Sequence, residues 1–285
     1  MKNILLGAHF SISGGLDKAF DHADKYECSA MQIFTQNSNT WKVRKLETKE
    51  TKNFFKRQES SSVKSIISHA GYLINLAGPD SEKREKSFEA LKGELKRSDM
   101  LGIKNIVLHP GSYMKTSVEE GIKRICESIN LLFNDDSCGS SSILLETMAG
   151  QGDCIGHKPE HLAEIIENTG NNSRVGICLD TCHIFASGYD ISTEEGYLNF
   201  IDKLESLSLL EKIGCIHLND SKKKCGARVD RHEHISEGLM GDKIFKLIVN
   251  DKRFDSVPKI IELPGEQDGI DMNKKNFERL TSLVR

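Results

Sequence analysis

The 285-residue chain carries 39 Lys and Arg against 42 Asp and Glu, a formal net charge of −3, which excludes binding to nucleic acid or membranes through an overall basic field. Hydrophobic residues make up 38% and charged residues 28%, as in ordinary globular proteins, and no apolar run approaches the roughly 20 residues of a membrane span. The N-terminus leads directly into an apolar strand, and the eight cysteines form no Cys-x-x-Cys pair, so we expect a cytoplasmic protein with reduced thiols.

Eight short apolar runs recur along the chain, and most of them end at a residue that can bind a metal. The first covers residues 4–8 and ends at His9, and the second covers residues 30–34. The other six are residues 65–68 before His69, 105–108 before His109, 142–145 before Glu146, 175–179 before Asp180, 214–216 before His217 and 259–261 before Glu262. Their polar ends follow one another at roughly 34 to 45 residues, the length of one repeat of a (β/α)₈ barrel. The sequence therefore predicts an α/β fold, with one TIM-barrel domain over residues 1–285.

Amphipathic, charge-rich stretches between these runs predict the surface helices of the barrel. These stretches cover residues 80–101, 121–133, 193–210 and 242–249, and a further helix is expected to begin near residue 158. No linker, low-complexity segment or second domain interrupts the pattern.

Several residues in the loops after the strands have more than one interpretation. His9 could be a metal ligand, a substrate contact or a structural histidine, and we favour the last two interpretations over the first. Tyr72 either stacks on a substrate or is half-buried, and the polar loop that ends at Trp41, the only tryptophan, has the composition of a surface loop. We expect His157 and His161 at the surface and not at a metal.

The long loop after the seventh run combines basic residues with a metal-binding pattern. Asp230 and His232 are two positions apart, close enough to chelate one cation. Lys222, Arg228 and Arg231 lie near them in the sequence and suit a polyanion beside that cation. A solvated run of charges explains the basic residues, but it does not explain Asp230 and His232 together.

Nine possible metal ligands are predicted to meet at one mouth of the barrel, because the carboxyl ends of its parallel strands share one face. They are His69, His109, Glu146, Asp180, His183, His217, Asp230, His232 and Glu262. Imidazole and carboxylate ligands without thiolate suit Zn²⁺, with Mn²⁺ or Fe as alternatives. Nine ligands exceed the needs of one tetrahedral ion, and with one bridging carboxylate they can serve three ions.

The charge of such a site predicts the class of its substrate. Three divalent cations outweigh the four carboxylates of the set by two positive charges, so the site would attract an anion such as a phosphodiester. Clustered cations lower the pKa of water to about 7 and stabilise the leaving oxygen of an in-line displacement. Phosphodiester hydrolysis is the reaction that this combination favours.

Four motifs of the chain are similar to those of one known family. They read HAGYLIN at residues 69–75, ETMAGQG at 146–152, GICLDTCH at 176–183, and HLNDSK at 217–222 with DRH at 230–232. On these motifs the chain resembles the endonuclease IV family of apurinic/apyrimidinic endonucleases across nearly its whole length. The resemblance implies a trinuclear zinc site in an α/β barrel.

The resemblance also implies how the nine ligands are shared. His69, His109 and Glu146 would bind one zinc, Glu146 would bridge to a second held by Asp180, His217 and Glu262, and His183, Asp230 and His232 would bind the third. Glu146 and Glu262 would be the catalytic carboxylates beside a bridging hydroxide that attacks the phosphorus.

Members of this family act on double-stranded DNA that contains abasic sites. They cut on the 5′ side of the lesion, leave a 3′-hydroxyl and a 5′-deoxyribose phosphate, and remove blocking groups from 3′ ends. The resemblance implies the same activity for this chain, with Asn39 and Tyr72 in the loops that contact DNA. We also expect DNA contacts from Lys222, Arg228 and Arg231, no membrane partner, and a monomer.

Two other functions are compatible with parts of the pattern. A metal-dependent sugar isomerase has a similar barrel with Glu, Asp and His ligands, but it holds two metals and does not need His183, Asp230 and His232. A zinc-stabilised DNA-binding protein would bind abasic duplexes without cutting them, and its metals would have closed ligand shells.

Overall fold

Twelve strands lie in the part of the chain that the computed structural model describes, residues 4–170 and 172–285. They are β1 (Leu6–Ala8), β2 (Ala30–Ile33), β3 (Ser65–His69), β4 (Asn105–Leu108), β5 (Ser142–Glu146), β6 (Val175–Asp180), β7 (Ile213–His217), β8 (Asp220–Ser221), β9 (His232–Glu233), β10 (Lys259–Ile261), β11 (Glu266–Gln267) and β12 (Ile270–Asp271). Eight of them form one parallel sheet in the order β1-β10-β7-β6-β5-β4-β3-β2. The other four form two short antiparallel pairs, β8 with β9 and β11 with β12.

Contacts between β1 and β2 bring the two ends of the sheet together into a barrel. His9, just after β1, forms a parallel bridge with Gln32, and the N–H of Phe10 donates to the carbonyl of Gln32 at 2.9 Å. Gly7 allows this approach, because a Cβ there would lie 1.7 Å from the carbonyl oxygen of Ala30. The predicted TIM barrel is confirmed.

The extent of the domain stays a prediction over residues 1–285. Residues 1–3 and 171, which that prediction includes, lie outside the described residues. The eight predicted strands agree with the observed barrel strands to within two residues at each end.

Nine α-helices lie in residues 4–170 and 172–285. They are α1 (Lys18–Lys25), α2 (Thr48–Ser60), α3 (Ser81–Met100), α4 (Val118–Phe133), α5 (Pro159–Glu167), α6 (Thr181–Ser187), α7 (Glu194–Ser206), α8 (Asp242–Asn250) and α9 (Met272–Leu283). α4 begins three residues before its predicted start, because Ser117 and Glu120 form a capping box there. α7 ends before residue 210, since Ser208 adopts a left-handed φ of 55°. α2 was not predicted, and it buries only Phe54 of its 13 residues, so its apolar period is weak.

Two layers of side chains fill the barrel interior, because alternate residues of each strand point inward. A closed set of buried residues, which we call the apolar layer, consists of Ala30, Ile67, Val107, Leu144, Cys178, Cys215 and Ile260. Two positions further along each of the same strands stand Gln32, His69, His109, Glu146, Asp180, His217 and Glu262, which we call the polar layer. The larger apolar core lies between the outer face of the barrel and the helices.

All eight cysteines lie in the described part of the chain, and none of them forms a disulfide. Seven are buried and Cys225 is half-buried. None of the described helices combines the length and the apolar character that crossing a bilayer requires.

Candidate metal centre

The polar layer and one hairpin bring the nine predicted ligands together at the carboxyl ends of the strands. Six of them belong to the polar layer itself. His183 follows on α6, whose first N–H groups are capped by Asp180, and the N–H of His183 donates to Asp180 Oδ1 at 2.8 Å. Asp230 and His232 come from the segment that returns through β9 to pair with β8.

The first group of ligands consists of His69, His109 and Glu146, whose ligand atoms lie within 4.8 Å of one another. Nε2 of His69 and Nε2 of His109 lie 3.2 and 3.1 Å from Glu146 Oε2. His69 Nδ1 lies 2.7 Å from the carbonyl oxygen of Ala70, so this nitrogen carries the proton and Nε2 is left as the ligand atom.

The second group consists of Glu146, Asp180, His217 and Glu262. His217 Nδ1 lies 3.2 Å from Glu146 Oε1 and 3.0 Å from Glu262 Oε2. Its Nε2 donates to Gln32 Oε1 at 2.9 Å, which leaves Nδ1 free to bind a cation.

The third group consists of His183, Asp230 and His232. The Nε2 atoms of both histidines lie 3.2 Å from Asp230, each facing a different carboxylate oxygen. His183 Nδ1 lies 2.8 Å from the carbonyl oxygen of Thr147, so the proton sits on Nδ1. Both Nε2 atoms are buried and have no hydrogen-bond partner. Buried polar atoms without partners are rare in native proteins, and a cation between them would satisfy both.

Glu146 joins the first two groups through its two carboxylate oxygens. Oε2 faces the imidazoles of the first group and Oε1 faces His217 of the second. Glu146 is fully buried, so an unpaired charge there would be costly. The donor set of five imidazoles and four carboxylates is one that Zn²⁺ accepts, and it fits a cluster of cations with Glu146 as the bridge.

The pKa values of these groups follow from burial and from the mixture of acids and bases. Burial raises the pKa of the Glu146 carboxyl, but the imidazoles of His109 and His217 hold it well below its usual range. Burial lowers the pKa of His183, but the carboxylate of Asp180 and further acidic neighbours raise it well above its usual value. The carboxylates therefore favour positive charge at this end of the barrel, and a binding cation would displace protons from the imidazoles.

Two buried amides, which were not predicted from the sequence, orient the ligands. Gln32 Nε2 donates to Glu262 Oε1 at 2.6 Å, while its Oε1 accepts from His217. Asn219 Nδ2 donates to Asp180 Oδ2 at 2.7 Å, and Asn219 Oδ1 accepts from the N–H of Glu262 at 3.0 Å. A sequence signal did exist for Gln32. It stands two residues after Ala30, and each ligand of the polar layer likewise stands two residues after the apolar-layer residue of its own strand.

The other histidines with open interpretations lie at the margin of the centre or away from it. Nδ1 of His9 lies 3.0 Å from Gln32 Nε2 and 3.7 Å from Glu262 Oε1, beside the second group. His161 is buried, so the prediction of a surface position is wrong for this residue. Its Nδ1 accepts from the N–H of Gly156, and burial lowers its pKa to about 4. His157 is half-buried and packs against His161 with ring centroids 4.9 Å apart.

The predicted DNA contacts lie on loops around the same mouth of the barrel. Tyr72 is 57% exposed, with its ring centroid 5.8 Å from that of His69. A cleft of about 490 Å³ opens between Tyr72 and the third group, with Glu262 in its wall. Asn39, Lys222, Arg228 and Arg231 are exposed on the loops after β2 and β7.

The chain is similar in sequence and in structure to known proteins. A family model described as xylose isomerase-like TIM barrel matches residues 20–283. A protein of Geobacter sulfurreducens named probable endonuclease 4 is 45% identical over 284 residues, which cover 99% of this chain and 95% of the relative. The crystal structure of endonuclease IV from Thermus thermophilus has a TM-score of 0.85 at 31% identity and covers 98% of each chain. A D-tagatose 3-epimerase-like protein has a TM-score of 0.72 at 19% identity over 99% of this chain and 97% of its own, a likeness of fold alone.

Proposed function

The chain belongs to the endonuclease IV family, within the xylose isomerase-like TIM barrels, and from that premise we propose the reaction of this DNA repair nuclease. It hydrolyses the phosphodiester on the 5′ side of an abasic site in double-stranded DNA, leaving a 3′-hydroxyl and a 5′-deoxyribose phosphate. The same centre removes blocking groups from 3′ ends, because these are also phosphate esters of a terminal 3′-oxygen.

The position of Glu146 is the observation that carries the proposal. One carboxylate oxygen faces the first group and the other faces the second, and the adjacent third group adds two buried imidazole Nε2 atoms that have no hydrogen-bond partner. Three adjacent groups of donors, two of them sharing one carboxylate, support a site for three cations. Two-metal sugar isomerization would leave the third group without a role, and this favours the nuclease.

Zn²⁺ is the proposed cation at each group, with Mn²⁺ or Fe as alternatives in part of the site. When bound, three zinc ions would supply a hydroxide nucleophile at neutral pH and neutralise the charge that develops on the phosphate and its leaving 3′-oxygen. Glu146 and Glu262 hold negative charge where that nucleophile is needed. Gln32 and Asn219 fix the orientation of Glu262 and Asp180, respectively.

Recognition of the substrate is proposed to come from the loops at the mouth of the barrel. Tyr72 offers an exposed aromatic ring directly above the first group, where it can stack on the DNA beside the lesion. Asn39 and the basic residues Lys222, Arg228 and Arg231 are exposed on loops at the carboxyl ends of the strands and suit contacts to the sugar–phosphate backbone. Because the overall charge is −3, these local groups must supply the attraction to phosphate.

Metal analysis of the purified protein together with a nicking assay tests the proposal. We expect three zinc ions per chain and cleavage of a duplex only where it contains an abasic site. A matched duplex without the lesion, and aldose and ketose sugars, serve as control substrates. Sugar interconversion without nicking would reassign the chain to the isomerases, and binding of abasic DNA without cleavage under any metal would reduce it to a DNA-binding protein.

Substitution of Glu262 tests its catalytic role. Glu262→Gln keeps the side-chain shape but removes the charge that lies 3.0 Å from His217 Nδ1, so most of the nicking activity should be lost while the fold survives. Circular dichroism and a thermal melt monitor the fold. Near wild-type nicking by this variant would contradict the role.

The proposal includes a monomeric enzyme that works in the cytoplasm, where chromosomal DNA is the substrate. Light scattering of the purified protein tests the first statement, and cell fractionation tests the second.

A further inference from the structure

An ion pair on α3 is buried beneath the loop between β2 and α2, residues 34–47. Glu94 and Arg97 are each 2% exposed, and Arg97 Nη2 lies 2.7 Å from Glu94 Oε1. The two side chains are three residues apart and so share one face of the helix. Neither of them belongs to the metal centre.

Arg97 contacts both ends of this loop. Its Nε donates to Thr35 Oγ1 at 2.8 Å, and its Nη1 donates to the carbonyl of Arg44 at 3.2 Å. The Thr35 hydroxyl in turn donates to Glu94 Oε2 at 2.5 Å. The N–H of Arg44 donates to the side chain of Gln36 at 2.9 Å, so the two ends of the loop are tied to each other and to α3.

Residues 37–43 form the tip of the loop between these fixed ends. Trp41 and Val43 are 39% and 44% exposed, and Lys42 between them is also exposed. An exposed aromatic ring beside a basic side chain is typical of contacts to nucleic acid. The carbonyl of Ser38 lies against Gly71, where a Cβ would come within 3.0 Å of it, so the tip rests on the loop that carries Tyr72.

Stability alone does not explain two buried charges at this place. Burial raises the pKa of Glu94 and lowers that of Arg97, in each case against the attraction of the partner. Apolar residues of similar volume often stabilise a fold as well as a buried ion pair does. Only the planar guanidinium, however, directs hydrogen bonds to Thr35 and to the Arg44 carbonyl at the same time.

We propose that Glu94 and Arg97 are positioning residues that hold residues 37–43, and Trp41 in particular, in the shape that contacts duplex DNA beside the metal centre. The DNA contact in this inference rests on the proposed function. The order of the loop does not, and it can be measured without DNA, because Trp41 is the only tryptophan of the chain.

Two variants separate positioning from simple stability. Arg97→Lys keeps the charge next to Glu94 but replaces the separate Nε and Nη1 donors to Thr35 and Arg44 with a single nitrogen. Glu94→Gln combined with Arg97→Met removes both charges, so no unpaired charge stays buried in the fold. Asp251→Asn is the control, because Asp251 accepts from Tyr197 at 2.7 Å and pairs with Arg253 just before β10, at the opposite end of the barrel.

Acrylamide quenching of Trp41 fluorescence and steady-state nicking of an abasic duplex are the two measurements. We expect both variants to show stronger quenching and a KM raised about tenfold, the loss of one stacking or phosphate contact, with kcat and zinc content unchanged. The control should alter the thermal melt but neither quenching nor KM.

If both variants kept the quenching and the KM of the wild-type protein, the inference would be overturned. It would also be overturned if the variants lost kcat and zinc together while quenching stayed unchanged. Failure of the wild-type protein to cut abasic duplexes would instead overturn the proposed function. In that case the quenching comparison alone still decides whether Glu94 and Arg97 order the loop.

Discussion

The apolar and polar layers of the barrel interior are built by the same strands, only two residues apart, yet one stabilises the fold and the other gathers the metal ligands. In β5, Leu144 packs in the apolar layer and Glu146 joins two groups of ligands in the polar layer. Buried apolar atoms lose nothing by leaving water, whereas buried carboxylates and imidazoles need partners or cations. The apolar layer thus contributes stability. The polar layer brings buried charged groups together at a cost in stability, and this arrangement favours binding of metal.

The difference also explains why the ligands are so well oriented. Strands are rigid because their backbones are hydrogen-bonded on both sides. A ligand two residues after the apolar layer in such a strand therefore has little conformational freedom. His183, Asp230 and His232 come from α6 and a hairpin, and they depend on other supports. The Thr147 carbonyl lies 2.8 Å from His183 Nδ1. Buried Asp220, the first residue of β8, accepts from the N–H groups of Gly238 and Met240, which follow β9 in the chain.

The largest effect should come from the polar layer at the residue that the first two groups share. We predict that Glu146→Gln lowers nicking by at least about 10³-fold, beyond the 10- to 100-fold typical of residues that only support a ligand. Zinc content should fall by at least one ion per chain, while circular dichroism stays unchanged. A variant that kept all its zinc and its activity would show that the first two groups do not depend on Glu146 as a shared ligand.

The matched change two residues earlier should affect stability and not chemistry. Leu144 is 3% exposed, and its side chain fills the space beside Gly176 and Gly214 of the next strands. We predict that Leu144→Ala lowers the free energy of unfolding by about 2–5 kcal/mol, while kcat per folded molecule stays near wild type. Denaturant titration measures the free energy of unfolding. Zinc content gives the number of intact active sites, to which kcat is normalised. A loss of kcat equal to that of Glu146→Gln would mean that the layers are not separate.

Much of this division can be predicted from the sequence, because six of the strands are apolar runs that stop at a single His, Asp or Glu. The period of two residues then places that side chain inside the barrel. Asp230 and His232 are identified by their spacing, although the polar loop gives no strand for reference.

Other features could not be predicted, for identifiable physical reasons. Asn219 contacts Asp180 and Glu262 only through the three-dimensional arrangement of β6, β7 and β10. The burial of His161 depends on the loop after β5, which folds so that the N–H of Gly156 donates to its ring. The Glu94–Arg97 pair has the composition of an exposed helix face, but it is buried and bonded to Thr35 and Arg44 of the loop over residues 34–47.

A smaller effect is expected at Gln32, the one residue of the polar layer that is an amide. Its side chain donates to Glu262, accepts from His217 and also contacts His9, so Gln32→Leu removes these hydrogen bonds without removing a ligand. We predict a 10- to 100-fold loss of affinity for the zinc of the second group, about the cost of such supporting bonds in other metal sites. Competition with a chromophoric chelator measures it. The matched control is Ala30→Ser two residues earlier in the apolar layer, which should leave zinc affinity unchanged.

The smallest effect concerns the pH dependence of stability, and it distinguishes the layers without any substitution. Burial lowers the pKa of His183 and His69, but Asp180 and Glu146, respectively, raise both above the usual 6.5 in the protein without metal. Such groups contribute stability that is complete below pH 6.5 and is lost as the pH rises through their folded-state pKa values. Chelator-treated protein should therefore melt at lower temperature as the pH rises above 6.5, by about 2–4 °C for each kcal/mol lost. The melting temperature of zinc-loaded protein should not fall in this way, because the cations replace the lost positive charge. A difference in melting temperature between the two forms that stays constant with pH would contradict this account.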